Sequence, residues 1–85
     1  MTDLHVTDDP ARRRYELRRG DAVLGRIDYR REGDEVVLAH VFVDPELRGH
    51  GLGSLLVAGA LADLEARGLS AVPECPFAEW YLRQG

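Results

Sequence analysis

The sequence predicts an α+β domain: a small, mostly antiparallel sheet with a main helix packed on it and a short C-terminal helix. Three observations carry this. Three strand-like runs lie between residues 13 and 43, joined by turns of a few residues, whereas a parallel crossover needs about a dozen. A single long helical pattern, Leu52 to Arg67, follows them. Between the last run and that helix lies Arg48-Gly49-His50-Gly51-Leu52-Gly53, a glycine-rich turn leaving the most hydrophobic strand.

Taken in order, residues 1–11 are polar and contain Asp8-Asp9-Pro10 as a breaker. They are expected to form a loosely held arm, leaving 12–85 as the single domain. Arg13 to Arg19 alternates, with Tyr15 and Leu17 on one face. After the turn at Gly20-Asp21, Ala22 to Arg30 alternates again, placing Val23, Gly25, Ile27 and Tyr29 opposite Arg26 and Asp28. Arg31 to Asp34 turns the chain into Glu35–Val43, which is nearly all apolar and so expected to be buried on both faces. The helix carries Leu52, Leu55, Leu56, Ala60, Leu61 and Leu64, with Arg67 and Gly68 as its stop. Leu69 to Val72 reads as a short strand returning parallel to the preceding one. Pro73 to Pro76 leads into a short helix from Phe77 to Arg83.

Composition narrows the function classes. At 85 residues this is one small domain, burying about 60–65% of the surface of its unfolded chain. With 45% hydrophobic and 31% charged residues, it is neither collagen-like, disordered nor coiled-coil. A net charge of -4 argues against general nucleic-acid binding, which needs a basic surface. Every cation is arginine, and the single cysteine excludes an internal disulfide and a cysteine zinc site, so no metal is expected. The absence of a long apolar run and a polar N-terminus argue for a cytoplasmic protein with no membrane partner. The small core suits a monomer or weak dimer.

The glycine turn has two readings. Its glycines can serve backbone geometry alone, or it can present converging N–H groups at the positive end of a helix to an anion. A Walker loop is excluded, since it requires Gly-Lys-Ser/Thr and lysine is absent. A dinucleotide fingerprint is excluded because antiparallel strands come first. What remains is Arg-x-x-Gly-x-Gly, filled by Arg48, Gly51 and Gly53, after Phe42-Val43-Asp44-Pro45-Glu46-Leu47.

With these residues the chain resembles the GNAT superfamily of acyl-CoA-dependent N-acetyltransferases, whose motif A is this strand, loop and helix. It is most similar to the smallest stand-alone members, which combine a histidine on the motif A strand with a later Cys-Pro-Phe segment, here His40 and Cys75-Pro76-Phe77. The resemblance implies a minimal GNAT-like fold and acetyl-CoA as cofactor. It implies that Arg48, Gly49, His50, Gly51, Leu52, Gly53 and Ser54 cradle the pyrophosphate. It further implies that the edge of Val41, Phe42 and Val43 pairs with the pantetheine arm.

Cys75 precedes Pro76, the residue type favoured at the first helical position, so it would occupy a helix cap, where a thiolate is favoured. The alternative is a small buried apolar residue. His40 falls on the same face as Leu38 and Phe42 by period two. It is either a satisfied strand residue or, as the resemblance implies, a base close to the cysteine and the thioester. Tyr81 and Gly85 are spaced like the superfamily's Tyr-x-x-x-Gly, whose tyrosine protonates the departing thiolate; otherwise Tyr81 is an ordinary apolar contact.

Two functions are therefore expected. One is acetyl transfer to an amine on a small molecule or protein, either directly or through an acyl group on Cys75. The other is a non-catalytic coenzyme A-binding or protein-interaction module, motivated by the lack of the helices that shape the acceptor pocket in larger relatives.

Overall fold

The computed structural model describes residues 3–84. In chain order its elements are β1 (Leu4–Asp9), β2 (Arg14–Arg19), β3 (Ala22–Glu32), β4 (Glu35–Val43), a 3-10 turn (Pro45–Leu47), α1 (Leu52–Ala66), β5 (Ser70–Pro73) and α2 (Pro76–Gln84). The five strands form one sheet in the order β1-β2-β3-β4-β5. Pairing is antiparallel up to β4, and β5 joins β4 in parallel after the α1 crossover. The predicted α+β class holds, and the strand Glu35–Val43 has the expected bounds.

The segment expected as a loose arm contains β1 instead. All six of its residues pair with β2, and Asp9-Pro10 opens the connecting turn. Val6 packs on α1 at Gly59, where an added Cβ would stand 2.5 Å from a Val6 methyl. Leu4 and Val6 are thus a two-residue apolar stripe, too short to stand out against the polar residues around it. Met1 and Thr2 lie outside the described residues.

Two bulges overrule simple alternation. On β3, Leu17 faces Gly25 while Arg18 faces Val23, leaving Leu24 as the extra residue. Leu24 therefore enters the core, and Val23, expected there, is 42% exposed. On β4, Asp28 faces His40 while Tyr29 faces Leu38, so Ala39 is extra. One inserted residue reverses every later side chain. Leu38 is fully buried with Ile27 and Leu56, and Val41 and Val43 pack against that same core. His40 and Phe42 turn to the other face, and burial of β4 on both faces is confined to Val36, Val37 and Leu38.

α1 covers one face of the sheet with Leu52, Leu56, Val57, Ala60 and Leu64, spacings that form one stripe. Leu55 is 48% exposed, so the helix is buried on one side rather than all round. The other face of the sheet is a charged lattice. Glu16 is buried between Arg14 at 2.7 Å and Arg18 at 2.6 Å. From β3, Arg30 crosses its register partner Val37 on β4 to reach Glu74 at 2.9 Å.

A polar network ties the C-terminal end of α1 to the sheet. The Tyr15 hydroxyl donates to Asp63 and the Tyr29 hydroxyl to Asp8, both at 2.6 Å. Arg67 donates to both carboxylates at 3.0 Å. The helix is thereby held at a fixed angle, with its glycine-rich N-terminus beside the free end of β4.

Candidate active-site cleft

β4 and β5 pair only from Glu35–Ser70 to Leu38–Pro73. There the backbone N–H groups of Glu74 and Cys75 both donate to the Leu38 carbonyl, at 3.0 and 3.2 Å. The chain then turns into α2, and β5 stops accompanying β4. The edge of β4 from Val41 to Val43 is left without a partner strand on that side.

At the end of β4, Asp44 caps the 3-10 turn by accepting from the Glu46 N–H at 3.0 Å. Gly49 and Gly51 then take positive φ, 88° and 75°, which an L side chain adopts only with strain. Gly51 is the N-cap of α1 and brings no side-chain cap. Among the described residues, no backbone N–H from Gly49 to Ser54 has a protein partner. These are the orphan donors of a helix start, converging where the dipole is positive.

The bare strand edge and the helix start enclose a cleft of about 450 Å³, lined by Val41, Val43, Leu47, Arg48, Gly49, Gly51, Leu52, Gly53, Ser54 and Phe77. One end is a cluster of unpaired N–H groups and the long wall is aliphatic and aromatic. That suits an elongated ligand with an anionic head and a less polar arm.

Of the residues expected to hold a cofactor, Val41, Val43, Arg48, Gly49, Gly51, Leu52, Gly53 and Ser54 line this cleft. Phe42 and His50 do not. The Ala39 bulge sends the Phe42 ring to the other face, under the Arg26 guanidinium at 4.9 Å, and His50 is exposed. Arg48 donates through Nε to the Val43 carbonyl at 3.3 Å, and its guanidinium carbon stands 6.0 Å from the centre of the Phe42 ring.

The three residues expected to be catalytic are not gathered into one constellation. Cys75 caps α2, its carbonyl accepting from Glu79 at 2.9 Å, and its thiol is buried in the core cluster. His40 is exposed on the opposite sheet face, beside its cross-strand partner Asp28. The expected sharing of a face with Leu38 is therefore corrected by the bulge. His40 and Cys75 both flank Leu38, yet no hydrogen bond joins them among the described residues. Tyr81 is half-buried against the core; Gly85, the other half of its spacing, lies outside the described residues.

Phe77 is the wall that motif reasoning missed. The sequence gives it a place in Cys-Pro-Phe and among the apolar contacts of the short helix, and its ring packs on Gly53, where a Cβ would stand 2.9 Å away. Its place one residue after the helix-starting Pro76 was the available signal.

A family model described as GCN5-related N-acetyl-transferase matches residues 14–85, which take in every element from β2 onward. The chain belongs to this family. The fold of this GCN5-related chain is similar to the solution structure of a GCN5-like protein from Staphylococcus aureus, with a TM-score of 0.72. The two are 23% identical, and the alignment covers 99% of this chain and 82% of that one. No curated protein matches the chain. Within the GCN5-related chain, the matched span contains the cleft, both bulges and the Cys75–Phe77 segment.

Proposed function

We propose that this GCN5-related chain is an acetyl-CoA-dependent N-acetyltransferase acting on an amine of a small molecule or protein. The observation that carries the reading is the joining, in one cleft, of an unpaired helix start and a bare β4 edge. The orphan N–H groups of Gly49 to Ser54 suit a diphosphate, since glycine lets phosphate oxygens approach the backbone closely. Arg48 adds a cation at the rim. Apart from the Val43 carbonyl, which Arg48 holds, the Val41–Val43 edge offers backbone groups to the amide-bearing arm, as a missing neighbour strand would use them.

Acetyl-CoA, when bound, supplies a thioester that an amine attacks, with the coenzyme thiolate leaving. The chain contributes orientation first, by fixing both ends of an extended arm. His40 would act as base only toward an amine that reaches the thioester from the far face, where the histidine is exposed. Cys75 serves as nucleophile only if the thioester reaches its buried sulfur, so direct attack is the simpler route. Tyr81 acts as proton donor to the leaving thiolate only if its hydroxyl turns toward the splayed strands.

Thermal unfolding with and without acetyl-CoA, followed by mass detection of acetylated primary amines and lysine peptides, tests the reading. A stabilisation that grows with ligand concentration, together with acetyl transfer, supports it. Stabilisation without transfer to any amine indicates a coenzyme-binding module, and no stabilisation refutes both.

A further inference from the structure

A second cavity, of about 510 Å³, opens at the other end of the molecule, between the β1–β2 and β3–β4 turns and the last turn of α1. Ligand pockets commonly fall in this size range. α1 has 15 residues, so at about 1.5 Å per residue its two ends, and the two cavities, lie roughly 20 Å apart.

The charges around this cavity are unevenly used. Its carboxylates are occupied: Asp8 accepts from Tyr29 and Arg67, and Glu32 from Arg30 at 2.7 Å. Two arginines are not. Arg31 spends only Nε, on the Gly33 carbonyl at 2.8 Å, and the Arg13 side chain has no hydrogen bond or ion pair among the described residues. The Tyr15 and Tyr29 rings, 5.4 Å apart and tilted by 49°, also line the cavity and give it an aromatic wall.

Arg13 is also the one non-glycine residue with positive φ among those described, at 54°. Its carbonyl accepts from the Tyr29 N–H at 2.9 Å, so the sheet holds that conformation in place. Glycine would stand there without strain. An arginine kept in a strained backbone, with its guanidinium unengaged beside a cavity, points to use of that side chain.

We propose that this cavity is a second ligand site, which takes a small organic anion: a carboxylate on a flat apolar body. The free guanidinium nitrogens of Arg13 and Arg31 pair with the carboxylate, whose planar geometry they match. The flat body rests on Tyr29. The site is independent of the coenzyme reading and stands if that reading fails.

The test is a titration of the whole chain with benzoate, followed by amide NMR shifts, with inorganic phosphate and sodium chloride as parallel arms. Saturable shifts at Arg13, Tyr29, Arg31 and Leu64 are expected with benzoate, weaker ones with phosphate, and none that saturate with chloride. Arg13→Gly should fold at least as stably, because its backbone strain is relieved, and bind benzoate about tenfold or more weakly. Arg31→Gln, which keeps the stem and removes the charge, should weaken it comparably. The proposal is overturned if benzoate produces no saturable shifts, if phosphate binds as well as benzoate, or if both variants bind like the parent chain.

Discussion

The Phe77 ring occupies the place where Gly53 would carry a β-carbon, with ring carbons at 2.9, 3.3 and 3.4 Å from it. Gly53 is thus required by packing between α2 and α1, whatever it does for an anion. Gly53→Ala is expected to destabilise the fold by about 1–3 kcal/mol, the range for overpacking, since an aromatic ring held between two helices yields little. Adding Phe77→Leu should recover much of the loss. Urea midpoints of the parent chain, the single variants and the double variant measure the coupling, and purely additive effects would refute the contact's role.

Gly51 presents a different constraint. Its φ of 75° strains any L residue, Asn least, but a β-carbon there would meet no protein atom within 4 Å. Gly51→Glu should therefore fold while abolishing stabilisation by acetyl-CoA, because it projects bulk and negative charge into the cleft. Gly51→Asn should fold and retain much of that response. Equal stabilisation of parent and Gly51→Glu in a thermal scan would show that the loop holds no diphosphate.

Cys75 separates the two chemical routes. If transfer is direct, Cys75→Ala keeps turnover within a few fold and loses only the packing of a buried sulfur, about 1 kcal/mol or more. If an acyl group passes through the sulfur, the intact protein gains acetyl mass on incubation with acetyl-CoA, and Cys75→Ala loses both that gain and the activity. Direct transfer is the expected result, given the burial of the thiol.

The tyrosine–carboxylate network predicts alkaline sensitivity. Burial, then the hydrogen bond to Asp8, pushes the Tyr29 hydroxyl up to about 12. Burial and the bond to Asp63 raise Tyr15 as well. A raised value means the folded state binds the proton more tightly than the unfolded chain. Stability from these groups is therefore complete below about pH 10, the ordinary tyrosine value, and declines above it, between 10 and 12 for Tyr29 and further up for Tyr15. Tyr29→Phe should cost about 1 kcal/mol at neutral pH and flatten that decline in urea titrations.

Glu16 predicts the acid limb. Burial pushes its carboxyl up, but hydrogen bonds and charge from Arg18 and Arg14 more than offset this and hold it below the ordinary value. Its contribution is present above the ordinary carboxylate range, about pH 4, and is lost as pH falls through the lowered folded value. Glu16→Gln should remove that part of the acid dependence and destabilise the chain at neutral pH, by leaving Arg14 and Arg18 without their shared partner. An acid profile identical to the parent's would contradict this assignment.

Much of the architecture was legible because it is local. Glu35–Val43 announces itself as an apolar run, Leu52–Arg67 by its leucines and terminal Gly68, and Arg48 to Gly53 by glycines at positions now seen to need positive φ or contact with Phe77. The orphan donors of a helix start need no distant partner, so their site could be placed from sequence alone. β1 was not legible, because its two inward residues are identified only by β2 beside them and by Gly59 beneath Val6.

The sequence by itself determined the element order from β2 onward, the antiparallel character of those strands, the position of the glycine turn and the residue types around it. Only the tertiary structure decided the faces. A bulge is a one-residue mismatch between two strands and leaves no mark in either strand alone. The extra residue at Leu24 brought that side chain into the core in place of Val23. The extra residue at Ala39 placed Val41 and Val43 along the cleft and turned His40 and Phe42 away from it. Where β5 leaves β4 was settled in the same way, by the two N–H groups of Glu74 and Cys75 meeting one carbonyl at Leu38.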